Sequence, residues 1–559
     1  MRLYFRKLWL TNLFLGGALA SSAAIGAVSP KTYKDADFYV APTQQDVNYD
    51  LVDDFGANGN DTSDDSNALQ RAINAISRKP NGGTLLIPNG TYHFLGIQMK
   101  SNVHIRVESD VIIKPTWNGD GKNHRLFEVG VNNIVRNFSF QGLGNGFLVD
   151  FKDSRDKNLA VFKLGDVRNY KISNFTIDDN KTIFASILVD VTERNGRLHW
   201  SRNGIIERIK QNNALFGYGL IQTYGADNIL FRNLHSEGGI ALRMETDNLL
   251  MKNYKQGGIR NIFADNIRCS KGLAAVMFGP HFMKNGDVQV TNVSSVSCGS
   301  AVRSDSGFVE LFSPTDEVHT RQSWKQAVES KLGRGCAQTP YARGNGGTRW
   351  AARVTQKDAC LDKAKLEYGI EPGSFGTVKV FDVTARFGYN ADLKQDQLDY
   401  FSTSNPMCKR VCLPTKEQWS KQGQIYIGPS LAAVIDTTPE TSKYDYDVKT
   451  FNVKRINFPV NSHKTIDTNT ESSRVCNYYG MSECSSSRWE RMKGVSTKNA
   501  LLFAGFSLSL VAQSVSAQEA KQPEKEEKDV EVILVSAQKR EQALKEVPVS
   551  IEVIQGDLL

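Results

Sequence analysis

A short frame ending in asparagine recurs along this chain and limits its fold more than any other feature. Each copy has a polar residue, three or four strand-forming residues and then Asn or Asp, and the copies stand about one short coil apart. Stacked strands of this kind form a parallel β-helix, in which side-chain amides satisfy backbone groups at the corners. We therefore predict an all-β, right-handed parallel β-helix. The copies are residues 169–174, 228–233, 261–266, 287–292, 377–382 and 452–457.

The N-terminal part supports the same architecture. A helical pattern over residues 64–77 precedes the Gly82-Gly83 pair and an apolar strand. This order resembles the entry of pectin-lyase-like β-helices, in which a helix covers the open end. Without a cap, the first coil would expose its apolar interior and its unpaired strand edge. The sequence therefore predicts an N-terminal capping helix.

The repeat is interrupted twice, over residues 310–375, which contain a helical pattern at 323–332, and over residues 388–450. Long insertions in a solenoid map to one face, commonly the binding face. We predict two small inserted α/β subdomains that wall a groove. The predicted division is the capped β-helix over 28–309, subdomain A over 310–375, a β-helix coil over 376–387, subdomain B with an intervening β-helix strand over 388–450, and the last coil over 451–491.

The two ends of the chain do not fit this fold. Residues 1–27 have the basic start, apolar run and small-residue close of a secretory signal peptide, so we expect an extracellular protein. Residues 492–559 repeat that pattern and continue into a segment that resembles the start of a TonB-dependent outer-membrane receptor. A signal peptide acts only at a nascent N-terminus, and the interrupted apolar run is a poor membrane span. We interpret 492–559 as an extraneous tail.

The eight cysteines form an even set in an exported chain, which favours disulfides. We predict pairs in sequence order. The close pair Cys408 and Cys412 resembles half of a metal site, but no second pair of ligands follows it. The predicted bonds are Cys269–Cys298, Cys336–Cys360, Cys408–Cys412 and Cys476–Cys484.

The whole chain has a net charge of +8, and removing the ends, which carry +3 and −2, leaves +7 on residues 28–491. That charge suits a polyanionic partner without establishing one. We expect residues 28–491 to form a monomer that binds neither nucleic acid nor a membrane. We expect no organic cofactor. Structural ions such as calcium cannot be derived from the sequence.

The candidate chemistry lies where apolar and polar residues alternate up to Asp247. On a strand, Arg243, Glu245 and Asp247 share one face, and residues two apart are separated by about 6.6 to 7 Å. An inverting glycosidase places its two carboxyl groups roughly 6.5 to 9.5 Å apart. The spacing makes this chain a candidate sugar hydrolase.

Aligning the neighbouring coils extends this polar face. One exposed Arg or Asp is ordinarily a solvated surface residue, but a whole polar stripe on one sheet favours a site. We predict that Gln222, Arg243, Glu245, Asp247, Arg303 and Asp305 point outward and that Leu242, Met244, Ala275, Met277 and Val302 point inward.

Residues 28–491 resemble the iota-carrageenases of glycoside hydrolase family 82. The resemblance rests on Arg243-Met-Glu245-Thr-Asp247, on the Gly279-Pro280-His281 turn and on the double insertion in a β-helix. It implies that Glu245 is the general acid and Asp247 the general base, with Gln222 and His281 assisting. The implied substrate is the sulfated galactan iota-carrageenan, cut at internal β-1,4 links with inversion.

Arginine can pair with a sulfate through two parallel hydrogen bonds. We therefore predict substrate binding by Arg243, Arg303 and the neighbouring Asp305 on the stripe, and by Arg321 and Arg353 in subdomain A. Surface solvation is the competing interpretation for these arginines, and for Arg353 it is the stronger one.

Two other functions fit the predicted architecture. A β-eliminating polysaccharide lyase shares the fold, but it uses calcium or a basic residue beside an acidic sugar, whereas this chain has a Glu-x-Asp pair. A carbohydrate-binding β-helix without catalysis would need no acid and base at all.

Overall fold

Two β-sheets of mainly parallel strands lie on either side of one hydrophobic core in this computed structural model. It describes residues 28–116, 120–314, 317–343, 349–393, 397, 426–438, 442–458, 462–467, 534–536 and 541–543. Successive coils add one strand to each sheet, so that Gly219–Thr223 and Ile240–Glu245 pair in one sheet while Ala226–Glu237 and Ile259–Ser270 pair in the other. The predicted parallel β-helix is confirmed.

The larger sheet has sixteen strands, which are Val47–Asp50, Gly83–Ile87, Thr91–Phe94, Val103–Val107, Ile112–Pro115, Val135–Gly142, Phe147–Asp150, Val167–Asp178, Val191–Arg194, Arg197–Asn212, Ala226–Glu237, Ile259–Ser270, Val288–Val296, Val378–Arg386, Val448–Phe451 and Lys454–Ile456. The smaller sheet has ten, which are Ile97–Gln98, His124–Val129, Leu159–Leu164, Ile187–Val189, Gly219–Thr223, Ile240–Glu245, Ala274–Gly279, Ser300–Ser304, Val434–Asp436 and Thr465–Ile466.

The remaining strands form three small antiparallel sheets, and the helices are few. The strands are Glu310–Phe312, Tyr341–Arg343 and Arg349–Arg353; Ala391–Leu393 and Tyr426–Gly428; and Leu534–Ser536 and Glu541–Ala543. The helices are a 3-10 turn at Asp35–Asp37 and α-helices at Ser66–Ser77, Leu249–Tyr254, Arg321–Leu332 and Asp358–Tyr368. Within the described ranges, no helix has the length and apolar character of a transmembrane span.

The repeated asparagines bend the long strands of the larger sheet. Asn169 and Asn174 both lie inside the strand Val167–Asp178 and both have left-handed φ, at 55° and 68°. Asn reaches this conformation more easily than most residues because its short side chain bonds locally. Their amides also stack between coils, as the sequence predicts. The bonds include Asn137 to Asn102, Asn169 to Asn137, Asn228 to Asn203 and Asn266 to Asn233, at 2.6–3.0 Å.

The helix Ser66–Ser77 provides the predicted N-terminal cap. Its apolar side chains Leu69, Ile73 and Ile76 are fully buried and belong to the same core as the first coils. Residues at this spacing lie on one face of a helix. The helix therefore covers the apolar interior that the first coil would otherwise expose.

The first interruption holds a small unit with its own core. The helices Arg321–Leu332 and Asp358–Tyr368 pack Trp324, Val328 and Leu361 against a three-stranded antiparallel sheet. Thr320 and Ser323 form a reciprocal capping box that starts the first of these helices. The bond Cys336–Cys360 lies within this unit.

Two of the four predicted disulfides fall on described residues, and both are confirmed. Cys269–Cys298 joins neighbouring coils, and Cys336–Cys360 lies in the first interruption. The predicted bonds Cys408–Cys412 and Cys476–Cys484 lie outside the described residues, as does the predicted signal peptide over 1–27. Of the predicted tail, only the two short strands near 540 are described.

Candidate active site

The central strand of the site, Ile240–Glu245, lies in the smaller sheet. Its register places Arg243 beside Gln222 on one side and Met277 on the other, and Met277 pairs with Arg303 on the next coil. These four residues lie on the outer face of the sheet. Met244 and Leu242 belong to the core, as predicted.

The prediction that Met277 points inward is wrong. In the strand register Val276 pairs with Leu242 and Met277 pairs with Arg243, so Met277 lies on the same face as Arg243. Met277 instead joins Ile240 and Leu273 in a separate small cluster on the outer side. It is 1% exposed, and its apolar side chain lies between Arg243 and Arg303.

Asp392, from the second interruption, binds the turn that precedes the strand Ile240–Glu245. The backbone N–H of Gly239 donates to its carboxylate at 2.9 Å, and Gly239 has a left-handed φ of 58°. Burial raises the pKa of Asp392 to about 7. A residue 153 positions away in sequence therefore fixes the turn from which the strand starts.

Glu245 is held by two basic side chains. A guanidinium nitrogen of Arg243 contacts its Oε2, and Nε2 of His281 lies 2.9 Å from its Oε1. The Arg243 and Glu245 side chains are 6% and 9% exposed. Because both side chains are largely shielded from solvent, their charge-assisted hydrogen bonds are stronger than in water. The carboxyl group is therefore fixed in one orientation.

A strained turn presents His281 to this carboxyl. His281 has a left-handed φ of 46°, and its carbonyl accepts hydrogen bonds from Phe308 at 2.7 Å and Gly373 at 2.9 Å. The fully buried Thr246 donates its hydroxyl to the carbonyl of Pro280 at 2.7 Å. These bonds hold the turn in a conformation that a non-glycine residue rarely adopts.

His281 also faces the second carboxyl, because its Nδ1 lies 3.5 Å from Oδ1 of Asp247. Burial lowers the pKa of the imidazole, but the charges and hydrogen bonds of Asp247 and Glu245 outweigh burial and raise the pKa to about 10. The structure thus places the His281 ring between the two carboxyl groups that the sequence singled out, and their charges favour its protonated form.

Gln222 lies in the site but acts on the backbone. Its Nε2 donates to the main-chain carbonyl of Glu245 at 2.6 Å, and the side chain is 3% exposed. This bond ties the end of the catalytic strand to the preceding coil.

The four predicted sulfate-binding arginines divide into two pairs. Arg243 and Arg303 lie on the outer face, and each already pairs with a carboxylate of the protein. Arg243 contacts Glu245, and Nε of Arg303 lies 2.9 Å from Asp305. Asp305 also accepts from the Thr437 hydroxyl at 3.2 Å. Both guanidinium groups are largely buried, at 6% and 7% exposure.

The other pair comes from the first interruption. Arg353 lies over the Phe308 ring at 3.9 Å, and the Phe308 ring lies 4.8 Å from the His281 ring, so Arg353 is next to the site. Arg321 lies over Trp350 at 5.5 Å. Among the described residues we find no contact between Arg321 and the two carboxyl groups.

Several supporting residues were not predicted from the sequence. Asn285 donates to Thr246 at 3.2 Å and Asn248 donates to Asp190 at 2.7 Å, which secures the chain on both sides of Asp247. In the sequence, the alternation Glu-Thr-Asp predicts that Thr246 lies on the buried side. This is the one feature from which a supporting residue could have been predicted. Across the described ranges, no group of three His, Cys, Asp or Glu residues is arranged to hold a metal ion.

The parallel β-helix places this chain among proteins of the pectate-lyase-like fold. The family model "Rhamnogalacturonase A/epimerase, pectate lyase-like" matches residues 51–312. This chain is also 40% identical over 504 residues to the iota-carrageenase of Zobellia galactanivorans, an alignment that covers 85% of this chain and 98% of that protein. The chain belongs to the iota-carrageenase family.

Solved structures agree with this assignment. An iota-carrageenase complexed to iota-carrageenan fragments is 98% identical, with a TM-score of 0.76 over 83% of this chain and 100% of that one. The iota-carrageenase of family GH82 from A. fortis, solved without chloride ions, is 96% identical, with a TM-score of 0.75 over 83% and 99% of the two chains. A third is named 1,3-alpha-1,4-beta-D-galactose-4-sulfate-3,6-anhydro-D-galactose-2-sulfate 4 galactohydrolase and is 92% identical, with a TM-score of 0.72 over 83% and 100%.

Proposed function

We propose that this protein is a secreted hydrolase that cleaves internal β-1,4 links of iota-carrageenan with inversion at the anomeric carbon. The observation that carries the proposal is the placement of Glu245 and Asp247 on opposite sides of the His281 ring. The relatives supply the substrate, since their names specify a galactose 4-sulfate and an anhydrogalactose 2-sulfate.

The separation of the carboxyl groups supports inversion. The contacts of 2.9 and 3.5 Å and the width of the imidazole together allow Oε1 of Glu245 and Oδ1 of Asp247 to lie at most roughly 8 to 9 Å apart. A retaining enzyme needs its carboxyl groups only about 5 to 5.5 Å apart, whereas an inverting one needs room for a water. The upper limit lies within the range of about 6.5 to 9.5 Å that an inverting enzyme uses.

In the proposed reaction, Glu245 is the general acid and Asp247 the general base. Glu245 gives a proton to the glycosidic oxygen as the bond from that oxygen to the anomeric carbon breaks. Asp247 takes a proton from a water that attacks the opposite face of the same carbon. The products are two shorter chains, and the enzyme is left with Glu245 ionised and Asp247 protonated.

His281 provides a route by which Glu245 and Asp247 return to their starting protonation states. Its imidazolium carries the proton nearest to Glu245, and its other nitrogen faces Asp247. Nε2 passes its proton to the ionised Glu245, which leaves a neutral imidazole with its proton on Nδ1. Asp247 releases its proton to water and Nε2 takes one back from water, so the starting state returns with no net change on the histidine.

We further propose that the protein acts outside the cell. The two disulfides support an oxidising compartment, and the sequence pattern over residues 1–27 supplies the export signal.

A digest tests the proposed function directly. The purified protein is incubated with iota-, kappa- and lambda-carrageenan, the products are sized, and their anomers are followed by proton magnetic resonance. We expect a rapid fall in the size of iota-carrageenan and the α-anomer as the first product. A first product with the β-anomer would refute inversion, and an unsaturated, ultraviolet-absorbing product would identify a lyase instead.

A further inference from the structure

A line of arginines runs along the larger sheet, which packs on the other side of the core from the sheet that carries Glu245. The strand register pairs Arg136 with Arg168, Arg168 with Arg202, Arg202 with Asp227, and Asp227 with Arg260. Arg136 and Arg260 are exposed, and the other three are half-buried. We call these five residues the arginine row. Since neighbouring strands lie about 4.8 Å apart, the row extends roughly 19 Å along the helix axis.

The row keeps an excess of positive charge. Like charges on directly neighbouring strands are destabilising, so they normally acquire partners. Arg168 has one, since its Nε lies 3.2 Å from the buried carboxylate of Asp166. Within the described part of the chain, no carboxylate lies at ion-pair distance from Arg136, Arg202 or Arg260. The carboxylate of Asp227 accepts from Asn261 at 3.1 Å and offsets only one of these charges.

An aromatic side chain holds two of the arginines without neutralising them. The guanidinium carbons of Arg202 and Arg260 lie 5.0 and 5.7 Å from the centre of the Trp200 ring. Such contacts attract a cation to the ring and orient it while its charge is retained. The two guanidinium groups are therefore pre-ordered, which lowers the entropy cost of binding an anion.

The row borders the catalytic region. Trp200 packs on an apolar cluster that also includes Met251, from the helix after Asp247, and Phe282, the neighbour of His281. The row also follows the direction in which coils stack, as does the outer row through Arg243 and Arg303. A long chain that binds at the carboxyl pair thus meets a second line of cationic side chains on the other sheet, linked to the first region through this cluster.

We propose that the arginine row binds a further segment of the sulfated polysaccharide outside the catalytic cleft and so retains the enzyme on its polymeric substrate. This rests on the proposed function. The guanidinium fork matches a sulfate in geometry, and a polymer with a sulfate on each sugar presents regularly spaced anions to the regularly spaced arginines.

The test compares two double variants that lose the same charge. Arg136→Gln with Arg260→Gln removes the two exposed ends of the row. Arg106→Gln with Arg386→Gln removes two exposed arginines from other positions of the same sheet and is the matched control. Each protein is assayed on iota-carrageenan polymer and on the shortest oligosaccharide that it hydrolyses, at low and high salt, with melting temperatures as a check on folding.

For the row variant we expect KM on the polymer to rise about three- to tenfold at low salt, with kcat unchanged, because exposed ion pairs are individually weak. The rise should shrink at high salt. Kinetics on the oligosaccharide and all kinetics of the control should match the unaltered protein. If polymer KM in the row variant equals that of the control, the row does not bind substrate. If no protein, including the unaltered one, hydrolyses the iota-carrageenan polymer, the proposed function fails instead.

Discussion

Nε2 of His281 lies 2.9 Å from Oε1 of Glu245, although the two residues are 36 positions apart in the sequence. The contact exists because their strands, Ile240–Glu245 and Ala274–Gly279, are neighbours in the smaller sheet and both end at the same edge. Stacking of the coils therefore sets the distance, and the Gly279-Pro280-His281 turn aims the imidazole at the carboxyl. The first predictions below concern this contact and the carboxyl pair that it joins.

Replacing either carboxyl by its amide should abolish most activity while preserving the fold. We expect Glu245→Gln and Asp247→Asn each to lower kcat by about 10²- to 10⁴-fold, the usual contribution of a general acid or base. Both amides keep the shape of the original side chain. Reducing-end release and circular dichroism provide the measurements. Glu237→Gln, which changes an exposed carboxylate paired with Lys271, serves as the control. Near-normal turnover in either site variant would rule out the assigned role.

His281 should make stability depend on pH in a defined window. Its folded-state pKa is raised to about 10, above the ordinary imidazole value near 6.5. The protonated form therefore stabilises the folded protein fully below about pH 6.5, and this stabilisation is lost as the pH rises through about 10. Urea unfolding at several pH values should show a steeper decline for the unaltered protein than for His281→Gln. Parallel curves would show that His281 is not held as an imidazolium.

Arg243 should not be replaceable by lysine. Its two terminal nitrogens contact different partners, the Gly217 carbonyl and the Glu245 carboxylate, whereas a lysine ammonium is a single point. We expect Arg243→Lys to lower kcat/KM by about 1 to 3 kcal/mol of transition-state free energy, and Arg303→Lys, which disturbs Asp305, by a similar amount. Arg268→Lys, on the larger sheet, is the control. Unchanged kinetics in both variants at low and high salt would mean that these arginines are not required and that sulfates are bound elsewhere.

Gly373→Ala should displace the turn that carries His281. A Cβ at this position would lie 2.4 Å from the carbonyl oxygen of Pro280, and the Gly373 N–H donates to the carbonyl of His281. The turn must then move, which we expect to cost about 1 to 3 kcal/mol of stability and to lower kcat. Thermal unfolding and initial rates test both effects. The neighbouring change Ser374→Ala adds no atoms and should alter neither, and an equally mild result for Gly373→Ala would show that the turn is not rigid.

Removal of Cys336–Cys360 should weaken the first interruption locally. The bond closes a loop of 24 residues, and loops of this size are associated with about 3 kcal/mol. The unit has its own hydrophobic cluster, so its loosening should leave the β-helix intact. In Cys336→Ser with Cys360→Ser, limited proteolysis should cut first within residues 310–375. Loss of Cys269–Cys298 should instead lower the stability of the β-helix itself. Identical cleavage patterns in the two double variants would contradict this separation.

The sequence was most informative where a pattern repeats. The asparagine frame predicted the coils because each copy has the same local requirement, a left-handed residue at a corner. The alternation around Glu245 placed the outer row correctly except at Met277, because Val276 and not Ala275 pairs with Leu242, a shift of one position in the register. A shift of this kind depends on how the chain enters the sheet, and no local residue preference records it.

Other parts of the site depended on contacts between distant segments. The helices Leu249–Tyr254 and Asp358–Tyr368 were not predicted, since the first has only six residues and the second lacks a clear apolar stripe. Tertiary contacts, such as the bond from Asn248 to Asp190, secure the first of them. The engagement of Arg243 by Glu245 likewise depends on side-chain conformation, which the alternation of the strand does not specify.

The contact between Asp392 and Gly239 has a consequence for the order in which the enzyme becomes complete. During synthesis, every residue of the carboxyl–imidazole cluster emerges well before Asp392, yet the turn that starts the catalytic strand gains its buried partner only when Asp392 arrives. A nascent or truncated chain that ends before this residue contains Glu245, Asp247 and His281. It lacks the hydrogen bond from Gly239 to Asp392. The turn before Ile240–Glu245 is thus complete only once synthesis has passed Asp392, 153 positions beyond Gly239.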